Sequence, residues 1–224
     1  MKVLYALSDM EIELSENYVA TVYIENMLYF RHTLQELSDQ IAGAEGHWVF
    51  TQAQQQLDCK KNVILVTDFF HIDGNQKPVL SKLHAYLTSI AEEDPELLYE
   101  INDKLRRLYT EITLQAPVEV GYKAALSAQD LIKAGDFKFE WGETELLESL
   151  VTYLDIICDL LKSKLIVLVN VRKYMTVEEL KLVYEHCIRK KIPIFCIESG
   201  YTCHSVDELL EKVYTIDKDL CFIY

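Results

Sequence analysis

The stretch that most constrains this chain runs from Ser163 to Ser199, SKLIVLVNVRKYMTVEELKLVYEHCIRKKIPIFCIES. It opens on an unbroken apolar run, Leu165 to Val169, rich in β-branched residues. A strand covered on both faces has this pattern, because neither face needs polar side chains. Thr176 stands three residues before Glu179, a capping-box spacing that starts a helix. Leu180, Val183, Tyr184 and Cys187 then fall on one side, about a turn apart. Arg189, Lys190 and Lys191 close the helix, where cations complement its dipole. Ile192 to Ile197 is a second apolar strand. Two parallel strands need a crossover of this kind, so the unit is βαβ and the fold class is α/β.

Upstream, Lys2–Leu7 and Met10–Leu14 form an expected hairpin with its turn near Ser8-Asp9. Tyr18–Ile24 is a further strand, and Met27–Ile41 repeats apolar residues at helical spacing until Gly43 and Gly46. Trp48-Val49-Phe50 begins a short strand, and Asn62–Asp68 is a second fully apolar strand ending in a carboxylate. Val79–Ile90 is helical. Between residues 85 and 162 almost nothing has the pattern of a buried strand. Asp94-Pro95-Glu96 starts a helix running to Leu114, with Pro at its first position and acids in its first turn. Ala124–Ala134 and Glu143–Lys162 follow as helices, then a last helix Val206–Val213 and a strand Leu220–Tyr224. The simplest account is an all-helical insertion, residues 85–155, between two halves of a mostly parallel α/β domain, 1–84 and 156–224.

Bulk chemistry narrows the function. Half of the 224 residues are hydrophobic, with only 7 Gly and 4 Pro, which suits a packed core rather than disorder. The six Cys show no CxxC pair or repeated spacing. Lys2 is followed by only five apolar residues, too few for a signal sequence, and no apolar run approaches the roughly 20 residues of a membrane span. These features predict a reduced, cytoplasmic setting. A net charge of −14 argues on its face against nucleic acid, since a polyanion must be met by cations. The charge is uneven: −5 over residues 1–84, −9 over 85–155 and 0 over 156–224.

Nucleotide chemistry has little to rest on. No GxxxxGK[ST] or GxGxxG occurs, and the first βα turn carries Ile24-Glu25-Asn26, whose anionic Glu repels phosphate. Asp68 resembles a Mg²⁺-binding carboxylate at a strand end, though a strand-end Asp also caps a turn. Asp68, Asp73 and Glu198 at the carboxyl edge of the sheet suggest a metal nuclease at most. His71, His84, His186 and His204 lack ligand spacing, Cys203-His204 is a lone pair, and no GxSxG elbow is present. The basic groups are Lys60-Lys61, Arg106-Arg107, Lys162 with Lys164, Arg172-Lys173 and Arg189–Lys191. Such groups are usually solvated helix ends. Lys123, Lys133 and Lys138 stand out in the middle of the acidic helical insertion; if it turns one face towards an axis in an oligomer, these three would line that axis.

Several patches together resemble the small Csn family of adaptation proteins of type II-A CRISPR systems. They are Ile24-Glu25-Asn26 before the helix bearing Phe30, Val66-Thr67-Asp68 with Asp73 and Asn75, Leu131-Ile132-Lys133 with Lys138, and Lys164–Asn170 followed by T-x-E-E-L. They extend, in order, over nearly the whole chain. The resemblance implies a discontinuous head related to ABC-type ATPases but lacking their phosphate loop, with a helical leg inserted. It further implies a non-enzymatic homotetrameric ring that takes double-stranded DNA by its ends through a lysine-lined hole. Such a ring supports spacer acquisition beside the CRISPR integrase subunits and the RNA-guided effector nuclease. A ring that is acidic outside and lysine-lined inside reconciles the net charge with a polyanion. Lys123, Lys133 and Lys138 are then the backbone contacts, with Arg106 and Arg107 beside them.

The family also holds Ca²⁺ on carboxylates just before the LIK patch. Here that region is PVEVGYKAALSAQD, where Lys123 and alanines take acidic positions and only Glu119 and Asp130 remain. Hard cations need several oxygen ligands, so calcium binding is expected to be weak or absent. Two other functions stay open on sequence grounds: a degenerate nucleotide- or metal-dependent enzyme using Asp68, and an acidic protein-interaction adaptor.

Overall fold

The structure, a computed structural model, describes residues 1–8, 10–141, 145–201 and 205–223. In chain order the elements are β1 (Lys2–Tyr5), β2 (Glu11–Glu13), β3 (Val19–Ile24), α1 (Met27–Ala42), β4 (Trp48–Gln52), β5 (Gln55–Gln56), α2 (Cys59–Asn62) and β6 (Val63–Val66). The helices α3 (Lys77–Ala91), α4 (Pro95–Gln115), α5 (Ala128–Ala134) and α6 (Leu146–Ile156) follow, the last running into a π-helical turn, Ile157–Leu161. The chain ends with β7 (Leu165–Val169), α7 (Val177–Lys190), β8 (Ile194–Ser199), β9 (Glu211–Ile216) and β10 (Phe222–Ile223). Two compact units result, Met1–Asp73 with Glu143–Tyr224, and Gly74–Gly142.

In the first unit six strands line up as β10-β9-β3-β8-β7-β6, parallel except for the edge strand β10. Every residue of β3, β7 and β8 is buried, the outcome expected of apolar runs with no polar alternation. One face carries Ala20, Val22, Ile24, Val167, Phe195 and Ile197 into a core shared with Phe30 and Leu37 of α1. That core continues into a four-stranded antiparallel sheet, β2-β1-β4-β5, through Val3, Tyr5, Trp48 and Phe50. The buried Trp48 indole donates to the Thr33 carbonyl at 2.8 Å, so its one polar atom is satisfied. The opposite face is covered by α7, whose Leu180, Val183, Tyr184 and Cys187 are buried.

The Thr176–Glu179 capping box forms as the sequence predicts: the Glu179 amide donates to Thr176 Oγ1 at 3.2 Å, and the Thr176 amide to Glu179 Oε2 at 2.8 Å. Thr176→Ala is therefore expected to cost about 1 kcal/mol, read as a lower urea midpoint with unchanged m.

The short helix α2 and the π-helical end of α6 are not signalled in the sequence, and three further elements differ from expectation. The final helix, Val206–Val213, is instead the parallel strand β9, paired with β3 from Glu211 to Ile216. Its second half, Val213-Tyr214-Thr215-Ile216, is β-branched and aromatic, which suits a pleated surface better than a helix. The two-residue strand β5 lies in a glutamine-rich segment with no strand signal. The helix expected from Ala124 begins at Ala128, because Ser127 supplies the capping box. Four expected features fall wholly or partly outside the described residues: the Asp9 half of the first turn, a helix start at Glu143, the Cys203-His204 pair, and Tyr224 at the end of the last strand.

The second unit is helical. α3 and α5 pack together, and Ile132 and Val79 are buried. Two asparagines clamp its loops by imitating a backbone pair. Asn102 accepts from the Leu126 amide at 2.7 Å and donates to the Leu126 carbonyl at 3.0 Å. Asn75 does the same to Phe139, at 2.8 and 3.2 Å. No helix among the described residues is long and apolar enough to cross a membrane.

Candidate nucleic-acid interface

The cations singled out from sequence all lie in the helical unit, and they differ sharply in what holds them. Ser127-Ala128-Gln129-Asp130 closes a capping box at the start of α5, so Asp130 accepts from the Ser127 amide at 2.8 Å and its hydroxyl at 2.6 Å. The same oxygen receives Lys123 Nζ. The lysine, with these two donors, holds the Asp130 carboxyl well below the usual carboxylate range. Lys138 pairs with Asp136 at 2.6 Å. Arg106 and Arg107, on α4, share Asp103, at 3.9 and 2.8 Å. Lys133, in the last turn of α5, is exposed and forms no ion pair with a described residue.

All these pairs are exposed and tolerate exchange of partner, since surface ion pairs contribute little and are screened by salt. Of the five cations singled out from sequence, Lys133 is thus open, and the other four have a carboxylate that a phosphate would have to replace.

The carboxylates considered for calcium are unlike one another. Glu119 is exposed in the loop after α4, and Asp130 is committed to Lys123 and Ser127. Among the described residues no three His, Cys, Asp or Glu side chains form a metal-ligand group.

At the carboxyl edge of the six-stranded sheet, Asn26 caps α1 by accepting from the Leu28 and Tyr29 amides, both at 3.1 Å. The donors that would meet a phosphate are thereby taken by the chain itself. Asp68 also caps a turn, accepting from the Phe70 and His71 amides at 3.0 and 3.2 Å. It meets His71 Nδ1 at 2.6 Å, and this hydrogen bond lowers its pKa.

One buried cluster departs from the sequence reading. Arg172 is not a solvated helix-end cation; it lies over the Tyr23 ring, 5.7 Å from its centroid, and pairs with Glu211. Glu211 also accepts from Thr21 and from the Tyr184 hydroxyl at 3.2 Å, and from the Val206 amide at 2.7 Å. Glu198, buried next to them, accepts from the Arg172 amide at 3.2 Å. Burial pushes its carboxyl up to about 7, against the opposing effect of the Arg172 amide and the Arg172 and Lys173 charges. Nothing in the local sequence signals this cluster, because Arg172 and Glu211 lie 39 residues apart.

Comparison with known proteins adds two findings. A family model described as CRISPR-associated protein (Cas_Csn2) matches residues 40–220. The fold is similar to the crystal structure of Stu0660 of Streptococcus thermophilus, with a TM-score of 0.56 and 14% identity. That match covers 100% of this chain and 76% of the other.

Proposed function

The chain belongs to the Csn2 family of CRISPR-associated proteins, and from that premise we propose that it is a non-enzymatic ring protein that binds double-stranded DNA by its ends. On this reading it is a cytoplasmic homotetramer that supports spacer acquisition in antiviral defence, beside the CRISPR integrase subunits and the RNA-guided effector nuclease. The α/β parts, 1–84 and 156–224, form its head, and the helices of 85–155 its inserted leg.

The observation that carries the reading is α4. This 21-residue helix is amphipathic, yet none of its described residues is buried. Leu97, Leu108, Ile112 and Leu114 are left exposed along it. A helix with an open apolar stripe is stabilised by a partner that covers it. A second copy of the chain supplies that cover and repeats each cation around the assembly. Lys133 is then the principal phosphate contact, with Lys123, Lys138, Arg106 and Arg107 recruited as phosphate displaces their acids. Calcium is dispensable on this reading, since Asp130 already has its cation.

A mobility-shift titration tests it, comparing linear with covalently closed circular duplex at low and moderate salt, with and without Ca²⁺. Linear DNA alone is expected to bind. Binding should weaken steeply with salt, fall by about tenfold or more in Lys133→Glu, and survive chelation. Equal binding to closed circles would refute threading from an end. No binding to either form would leave an acidic protein-interaction adaptor as the better account.

A further inference from the structure

The first unit carries an exposed strip of aromatic rings and lysines that the proposed DNA contacts do not use. It runs along the carboxyl edge of the sheet, where α/β folds place their ligands. After β6 comes Phe70, which is 76% exposed. Its ring meets that of Tyr174, 41% exposed and just after β7, edge to face at 5.3 Å. That geometry leaves both faces of one ring uncovered by the other. Lys173, beside Tyr174, reaches Ser199 Oγ at the end of β8. Ser199 is itself fixed by Asn170, its amide and hydroxyl each donating at 2.8 Å. Two residues on, Tyr201 is 68% exposed, and Lys218 from beyond β9 stands 4.9 Å above its ring.

Exposed rings interleaved with ammonium groups match the chemistry of an unpaired nucleotide. Its base stacks on an aromatic face and its phosphate meets a cation, with little regard to sequence. A duplex does not suit the strip. Its bases are already stacked and paired, and tracking its backbone takes a row of cations. Here there are two lysines, with Glu25 and Asp219 close to Lys218. Lys173, which donates to the Ser199 hydroxyl and has the buried Glu198 as its nearby acid, is the better placed for phosphate.

We propose that this strip, Phe70 and Tyr174 with Lys173, then Tyr201 with Lys218, holds an unpaired nucleotide at a DNA end. The proposal rests on the DNA-end reading and gives the head its own role in telling frayed or overhanging ends from blunt ones.

The test uses the full-length chain and short linear duplexes, either blunt or carrying a three-nucleotide single-stranded overhang with 2-aminopurine in it. Fluorescence anisotropy should show the overhanging duplex bound about tenfold more tightly than the blunt one, and 2-aminopurine emission should be quenched on binding. Phe70→Ala with Tyr174→Ala should abolish the gain and the quenching while leaving blunt-end binding unchanged. Because Tyr174 also packs on the buried Phe69, the single variant Phe70→Ala serves as the control for folding and should lose most of the gain. Equal affinity for the two duplexes, with emission unchanged, would overturn the inference. So would an overhang preference that survives in the variants, which would leave the strip to a protein partner. Competition by free AMP at concentrations comparable to the DNA would reassign it to a free nucleotide. Failure to bind any DNA is a different result and removes the DNA-end reading itself.

Discussion

Arg172→Met is expected to destabilise the protein by about 3–5 kcal/mol, and Glu211→Gln in the same chain should recover much of that loss. The Arg172 side chain is 11% exposed and that of Glu211 is fully buried. Burial alone would lower the guanidinium pKa, but the hydrogen bond and charge of Glu211 raise it overall, so Arg172 keeps its charge in this buried place. Methionine keeps most of the packing volume and removes the cation. Glu211 is then left as a buried charge with Thr21, Tyr184 and the Val206 amide but no counter-ion. Removing one partner of a buried pair costs far more than replacing both, because the survivor keeps its desolvation penalty. Thermal unfolding of the single variant should begin roughly 10 °C lower, and chemical denaturation should show the same order. A single variant within about 1 kcal/mol of the parent, or a double variant no more stable than the single, would remove the ion pair from its place as an organiser of the sheet.

The same cluster shows where the sequence stops being informative. Strands β7 and β8 were legible because five or six consecutive apolar residues fit only a strand covered on both faces, and α7 because its capping box and apolar stripe agree. Local rules sufficed there. They failed at β9, where Glu211 opens the strand and Leu209 points outward: the strand is held by pairing with β3 and by a partner 39 residues upstream. Burial of a charged residue is decided by a contact distant in sequence, so Arg172 and Lys173 look alike in the chain and end in different environments.

The candidate interface divides in the same way. Asp130 and Asp136 stand within a few residues of Lys123 and Lys138, so their pairing follows from neighbouring positions. Phe70 sits in Asp68-Phe69-Phe70-His71, where both rings suggest core; only the turn capped by Asp68 sends one inward and the other to the surface.

Glu198 gives the prediction that most directly reports this buried chemistry. Its folded-state pKa is about 7, against an ordinary value of 4.5. Below pH 4.5 the carboxyl is protonated in both states and no difference arises. Between 4.5 and about 7 the native state keeps the proton that the unfolded chain has released, so stability falls as pH rises through this window. The loss amounts to something on the order of 3 kcal/mol by pH 8. Glu198→Gln removes the titration while leaving an oxygen to accept from the Arg172 amide. Its added NH₂ needs an acceptor, which offsets part of the gain. The difference in unfolding free energy, variant minus parent, should therefore climb from near its lowest value at pH 5 to about 2 kcal/mol higher at pH 8, measured by urea titration at each pH. Because all other groups cancel in that difference, its slope isolates the one carboxyl. A flat difference from pH 5 to pH 8 would mean that Glu198 is already ionised in the fold. Arg172 and Lys173 would then outweigh its burial, and the cluster would be an ion network of three members rather than a pair beside a neutral acid.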